Sequence, residues 1–308
     1  MVMEVLYTRQ EAALKMKNCC IALGFFDGFH LGHQQLLEQV RLISSKKGLH
    51  KAVMTFHKHP RSLLEGKEMP YISSLEDKIR ILQQYGFDYL WIIDFDSSFS
   101  KISPEKFIQG YILPLPIKEI VCGFDYHFGY LGKGDSTTLA SLGQGNYTVH
   151  VASPVMFEDH KISSTYIKQL LKTGDMALVT ELLDRPYTIT GRVIHGYHRG
   201  EKELRRPTAN ICYAGYVLPL LGVYAVTIQV QSQTYKGMAN IGYNPTFGDI
   251  TVPSLEVAIF DFQEDIYDCE IAISFYQYIR AEKAFETKEK LRQQLRIDFQ
   301  TVQNYFKQ

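Results

Sequence analysis

The 308-residue sequence has no net charge, since 33 lysines and arginines balance 33 aspartates and glutamates. That balance excludes the basic excess of a general nucleic-acid binder, so any phosphate recognition has to be local. There is no CxxC pair, and the five cysteines (Cys19, Cys20, Cys122, Cys212 and Cys269) are odd in number. Zinc ribbons and a disulfide framework are disfavoured, and buried thiols in a reducing cytosol are expected. No apolar run approaches the roughly 20 residues of a membrane helix. The N-terminal segment carries charges early and lacks a long apolar core, so it does not read as a signal peptide. Internal repeats and low-complexity tracts are also missing. A cytoplasmic protein that does not engage a membrane is the expectation.

What is present is apolar residue in quantity, 45% of the chain, over a length that suits two domains. In the first half strand and helix signals alternate. The strands are "CCIAL" (19–23), "KAVMTF" (51–56), "YLWIID" (89–94), "EIVCGFD" (119–125) and "YTVHVA" (147–152). Between them, Leu36, Leu37, Val40 and Ile43 recur at helical spacing, with Lys46 and Lys47 in the last turn and Gly48 as the stop. "SLEDKIRILQQYG" (74–86) carries a capping box from Ser74 to Asp77. "SPEKFIQGYI" (103–112) has Ser as N-cap and Pro at the first helical position. "SSTYIKQLLKTGD" (163–175) is a further helix. This alternation predicts a doubly wound parallel α/β sheet, with ligands at the carboxyl ends of the strands.

Past Leu183 strands dominate: "YTITGRVIHG", "GVYAVTIQV", "TYKGMANIG", "SLEVAIFDF" and "CEIAISFYQYI". Several alternate apolar and polar residues, as antiparallel strands do. An amphipathic helix follows, roughly Lys288 to Phe306, with Leu291, Leu295, Phe299 and Val302 on one face. A small antiparallel β-barrel with a C-terminal helix is predicted, with the domain boundary between residues 183 and 184.

His30, His33, His57, His59 and Asp125 all follow predicted strands. Three roles are open for His30 and His33 in "GFHLGHQQ": metal ligands, a helix cap, or phosphate donors. A metal wants a third ligand at defined spacing, and Gly28 and Gly32 favour a turn over a helical pair. Glycines admit a polyphosphate to the backbone, a helix N-terminus offers N–H groups, and imidazoles add donors. Ser163, Ser164 and Thr165 at a second helix start, with Lys168 one turn on, suit a second phosphate grip. They also suit an ordinary cap with a solvated lysine. "GFDYHFGYLGKGD" (123–135) suits a flat ring, or is a surface loop.

HxGH after a strand, with "ISSTYIK" downstream, resembles the HxGH class of nucleotidyltransferases. With "ALGFFDGFHLGHQ", "MTFHKHP" and "GFDYHFG" added, residues 15–183 look like the N-terminal module of prokaryotic FAD synthetases. The resemblance implies transfer of AMP from ATP to FMN, giving FAD and pyrophosphate. It implies that His30 and His33 stabilise the ATP phosphates. Ser163, Ser164, Thr165 and Lys168 would hold the same polyphosphate. Gly24, Phe25, Gly28, Gly32 and Gly123 would line the nucleotide site, and Asp27 and Asp125 would orient substrate or magnesium. Phe56, His59, Pro60, Phe124, Tyr126 and Phe128 would serve the flavin side. FMN phosphate is already ionised, so positioning and charge matter more than a base. Lys168 replaces the family's usual arginine, keeping the charge without the bidentate fork.

Residues 184–306, with "LRRPTANI", "ANIGYNPTFGD" and "SLEVAIFDF", look like the riboflavin kinase module of the same bifunctional family. The implied step is phosphorylation of riboflavin to FMN. Pro207, Thr208 and Asn210 would bind Mg-ATP, with Thr208 and Asn210 as oxygen ligands to Mg2+. Glu256 would take the proton of the riboflavin 5′-hydroxyl. Three departures mark this module. Arg205 and Arg206 replace Gly-Phe before PTAN, Ala258 stands where "LEVH" is common, and Asp268 where "IYG" has glycine. They imply a weakened kinase or a scaffold. A monofunctional FAD synthetase and a non-catalytic flavin-binding regulator are the alternatives. The implied partners are flavins and nucleotides, without nucleic acid or membrane, in a monomer or weak homo-oligomer.

Overall fold

The computed structural model describes residues 2–194, 208–243 and 253–307. Its contacts divide the chain into two units, Met1–Ser164 and Thr165–Gln308.

The first unit is built on six parallel strands: β1 (Glu4–Leu6), β2 (Cys19–Leu23), β3 (His50–Phe56), β4 (Tyr89–Ile93), β5 (Ile117–Gly123) and β6 (Thr148–Ala152). Their order is β1-β4-β3-β2-β5-β6. Buried on both faces, the strands feed two cores. On β2, Cys19, Ile21 and Leu23 enter one, while Cys20 and Ala22 enter the other. That is the doubly wound arrangement, and it explains why the strands read as continuous apolar runs. Helices α1 (Arg9–Lys15), α2 (Leu31–Lys47), α3 (Pro60–Glu65), α4 (Leu75–Gln84), α5 (Pro104–Phe107) and α6 (Ser136–Leu142) connect them. A hairpin of β7 (Met156–Phe157) and β8 (His160–Lys161) follows. Strand order reverses between β2 and β5, so the loops after those two strands meet at the switch point where such sheets bind ligands.

Local signals hold well. Gly48 ends α2 in the left-handed conformation, and Ser74 and Asp77 form the capping box of α4. One prediction changes. The helix expected over 103–112 ends at Phe107, and residues Ile108–Ile112 widen into a π turn. There the Arg9 guanidinium donates to the Gly110 carbonyl at 3.0 Å, and Leu113 N–H reaches back to Ile108.

In the second unit α7 (Ser164–Thr173) and α8 (Met176–Leu183) precede a closed antiparallel barrel. Its strands are β9 (Tyr187–Ile194), β10 (Thr208–Cys212), β11 (Gly222–Val230), β12 (Gln233–Gly242), β13 (Ser254–Ile259) and β14 (Glu270–Arg280), ordered β10-β13-β12-β11-β14-β9. α9 (Lys288–Tyr305) packs Val302, Leu295 and Phe299 against Ala225, Met238, Ala258 and Phe260. The Arg280 guanidinium donates to both oxygens of Asp298, a carboxylate 1% exposed, and fastens the helix to β14.

Candidate functional site

The turn from Gly24 to His30 leaves β2 and enters α2 through three left-handed residues: Phe26 (φ 54°), Gly28 (φ 88°) and Phe29 (φ 46°). Such backbone is costly for phenylalanine. Both rings are buried and stack at 5.9 Å, which offsets the strain. A side chain at Gly28 would also meet Ile72 at 3.0 Å.

Hydrogen bonds from elsewhere hold the turn. The Asp27 carboxylate accepts the N–H groups of Ile72 (2.7 Å) and Ser73 (3.1 Å). Ser164 donates its hydroxyl to the Asp27 carbonyl at 2.9 Å. The Phe25 carbonyl accepts from Thr55 (2.9 Å) and from Lys78 (2.6 Å), whose ammonium lies 3.5 Å from the Phe25 ring centre. Asp27 and Ser164, expected on substrate, thus fasten the loop, because a turn so wound needs outside partners for its backbone.

His30 is the N-cap of α2, and His33 lies inside the helix rather than in a turn. The reason is at Gly32. A Cβ there would stand 3.1 Å from the His30 ring, so the absent side chain lets the imidazole fold over the first helical turn. His30 Nδ1 accepts the His33 N–H at 3.3 Å, and the two rings stack at 3.7 Å. Capping and donation are therefore compatible: with Nδ1 accepting, the neutral ring carries its proton on Nε2. Burial pushes the His30 pKa down to about 4, against the opposing pull of Asp27. His30 is a neutral donor at pH 7, not a cation.

The positive charge near it comes from a residue the sequence reading passed over. Lys161, on β8, pairs with the Asp125 carboxylate after β5 and lies 4.4 Å from the Phe124 ring centre. Both Lys161 and Asp125 act electrostatically on His30. Lys161 and Lys78 carry no motif signal, since their importance lies in tertiary distance. Gly123 precedes this loop, with Asp125 Oδ1 3.0 Å from where its Cβ would be.

The aromatic candidates divide. His59 caps α3 by accepting the Arg61 N–H at 3.1 Å, Pro60 takes the first helical position, and the His59 ring meets Phe25 at 4.6 Å. Phe56 is partly buried against Phe95 and Phe99. Phe128 is buried among Phe107 and Tyr126, bridged through its backbone to Gly134. Its ring joins the core cluster of the first unit. Phe124 is exposed. On α7, Thr165 and Lys168 are three residues apart and share a face, opposite buried Ile167 and Leu171. Ser163 immediately precedes the helix.

In the barrel, register carries the geometry. Asn210 on β10 pairs with Glu256 on β13, and Glu256 pairs with Asn240 on β12. Thr208 lies two residues from Asn210 on the same face, level with Ala258 and Met238. Thr208, Asn210 and Glu256 thus come together on the face that α9 partly covers. Pro207, Arg205 and Arg206 lie outside the described residues. Ala258 is buried under α9, so the small residue there serves packing. Asp268 has φ 60° and donates its N–H to the Val193 carbonyl at 2.9 Å. Aspartate holds here the left-handed turn that glycine usually takes, so neither change disrupts the barrel.

A doubly wound sheet with stacked histidines at a helix start on its switch point, joined to a closed barrel with an Asn-Glu-Asn row, defines a two-module nucleotide-handling enzyme class. A family model for FAD synthetase matches residues 13–166, and one for riboflavin kinase matches residues 183–306. A bifunctional riboflavin kinase/FMN adenylyltransferase of Listeria monocytogenes is 41% identical over 94% of this chain and 93% of its own length. The Bacillus subtilis protein of the same name is 40% identical over 93% and 92%. A crystal structure from Streptococcus pneumoniae, described as a macrolide-efflux protein, matches with TM-score 0.88 and 32% identity over 99% of both chains. Among the described residues, no helix here is long and apolar enough to cross a membrane. The chain belongs to the bifunctional riboflavin kinase/FMN adenylyltransferase family.

Proposed function

We propose that this chain makes FAD in two steps, with residues 184–308 phosphorylating riboflavin to FMN and residues 1–183 adenylylating FMN. The stacked pair of His30 and His33 at the start of α2 carries the second assignment. In that step an FMN phosphate oxygen attacks the α-phosphorus of Mg-ATP. The bond to the bridging oxygen breaks and pyrophosphate leaves with the electron pair. His30 Nε2–H and His33 donate to the phosphates as charge moves onto the leaving group. Lys161 supplies the nearby positive charge.

In the kinase step, Thr208 and Asn210 would hold Mg-ATP through its Mg2+, a hard cation suited to their oxygens. Glu256 takes the hydroxyl proton while the oxygen attacks the γ-phosphorus and ADP departs. Both substrates are small molecules. A cytoplasmic monomer or weak homo-oligomer that engages no nucleic acid completes the proposal.

The test is incubation with Mg-ATP and either riboflavin or FMN, with flavins resolved by chromatography. FMN from riboflavin and FAD from FMN are expected. FAD from FMN without FMN from riboflavin would leave a monofunctional FAD synthetase, and no turnover of either would leave a flavin-binding regulator.

A further inference from the structure

The row across the barrel has three polar members, and the kinase chemistry above uses two of them. Asn240 is the third. It stands directly beside Glu256 on β12, on the side away from Asn210. Paired residues of antiparallel strands point to the same face. With strands about 4.8 Å apart, Asn210 and Asn240 flank the carboxylate at backbone separations totalling roughly 10 Å.

The surroundings make Asn240 an unusual choice for its place. Its same-face neighbours along β12 are Met238, which packs under α9, and Gly242. Its other cross-strand partner is buried Val223. Asn240 is half-buried, and among the described residues its carboxamide shows no hydrogen bond. Apart from Glu256 its neighbours are apolar, and a carboxamide partly removed from water there is costly unless something hydrogen-bonds to it.

We propose that Asn240 binds the hydroxyl-bearing tail of riboflavin and holds its terminal hydroxyl against Glu256. This rests on Glu256 being the base and on Asn210 serving the nucleotide. The alcohol oxygen has to reach both Glu256 and the γ-phosphorus, and with Asn210 on the β10 side serving the nucleotide, the β12 side is left for the rest of the polyol. A carboxamide, with both donor and acceptor, suits a polyol. The hydroxyl oxygen forms the new bond to phosphorus, its proton passes to Glu256, and the bridging oxygen leaves with ADP.

The experiment is steady-state kinetics of Asn240→Ala and Glu256→Gln, each assayed for FMN formation and, on the same sample, for FAD formation from FMN. Asn240→Ala is expected to raise the riboflavin KM about tenfold or more and to lower kcat, the loss of substrate hydrogen bonds. The ATP KM and FAD formation stay unchanged. Unchanged riboflavin kinetics in Asn240→Ala, beside an inactive Glu256→Gln, would overturn the proposal and leave the base in place. A rise in the ATP KM alone would also overturn it. Full kinase activity in Glu256→Gln would instead remove the assignment on which the proposal rests. If thermal melting shows that Asn240→Ala unfolds the barrel, Asn240→Ser provides the same comparison with the strand polarity kept.

Discussion

The Gly24–His33 loop and the β10-β13-β12 row place functional groups by opposite means. The loop is a wound turn in which Phe25 and Asp27, beside the left-handed residues, are tied down by Thr55, Lys78, Ile72, Ser73 and Ser164. The row needs only strand register to set Asn210, Glu256 and Asn240 abreast. A site made by tertiary ties is lost when one tie fails. A site made by register persists until the barrel itself opens, so the two should respond differently to damage.

The most severe test of that contrast is Asp298→Ala. It leaves the Arg280 guanidinium without its buried carboxylate and should cost about 3–5 kcal/mol. Riboflavin phosphorylation should collapse while FAD formation persists. Loss of both activities in one melting transition would show that the two units do not stand apart.

His33→Ala should reduce FAD formation by roughly 10²–10³-fold, the effect of removing one donor to a developing negative charge. Riboflavin phosphorylation by the same sample should be unchanged. Normal FAD formation would break the assignment of the loop.

Acid should weaken the loop selectively. The folded His30 protonates near pH 4 and the unfolded ring near 6.5. Between those values the unfolded chain binds more protons, so stability rises with pH and is lost on acidification from about 6.5 to about 4. The shift corresponds to about 3 kcal/mol in all. Replacement by glutamine, His30→Gln, should flatten the melting temperature across that window, and an unaltered acid dependence would count against the burial effect.

Gly28→Ala combines a φ of 88° with a 3.0 Å approach to Ile72. A cost of roughly 1–3 kcal/mol is expected, read as a lower melting temperature and reduced FAD formation. The smallest expected change runs the other way. Asp268→Gly relieves the left-handed turn at φ 60° and should stabilise the barrel by about 1 kcal/mol in denaturant titration. No gain would mean that the aspartate side chain already compensates for the turn.

Much of this architecture is legible in the amino-acid order. Runs such as "CCIAL" announce strands buried on both faces, and alternation in "GVYAVTIQV" announces a barrel wall. Ser74, Asp77 and Gly48 mark helix ends through local chemistry alone. The π turn at 108–112 was not legible, because it answers to Arg9, about a hundred residues earlier. The same holds for function. His30 and His33 stand out by spacing, whereas Lys161 and Lys78 become meaningful only when folding brings them to Asp125 and Phe25. The burial of Phe128 was not legible either, since an aromatic in a glycine-rich loop reads as accessible until the core closes over it. Asn240 was hidden in ordinary strand alternation, and only register puts it beside Glu256.

The cap that His30 places on α2 has a spectroscopic consequence. One ring nitrogen is committed as acceptor to the His33 amide, so the proton's position is chosen before substrate arrives. A nitrogen-15 spectrum of this imidazole should show a pyridine-like Nδ1 and a pyrrole-like Nε2, unaveraged by tautomer exchange. A ring that starts in that form need not reorganise when phosphate reaches it, and the helix start doubles as a pre-aimed hydrogen bond.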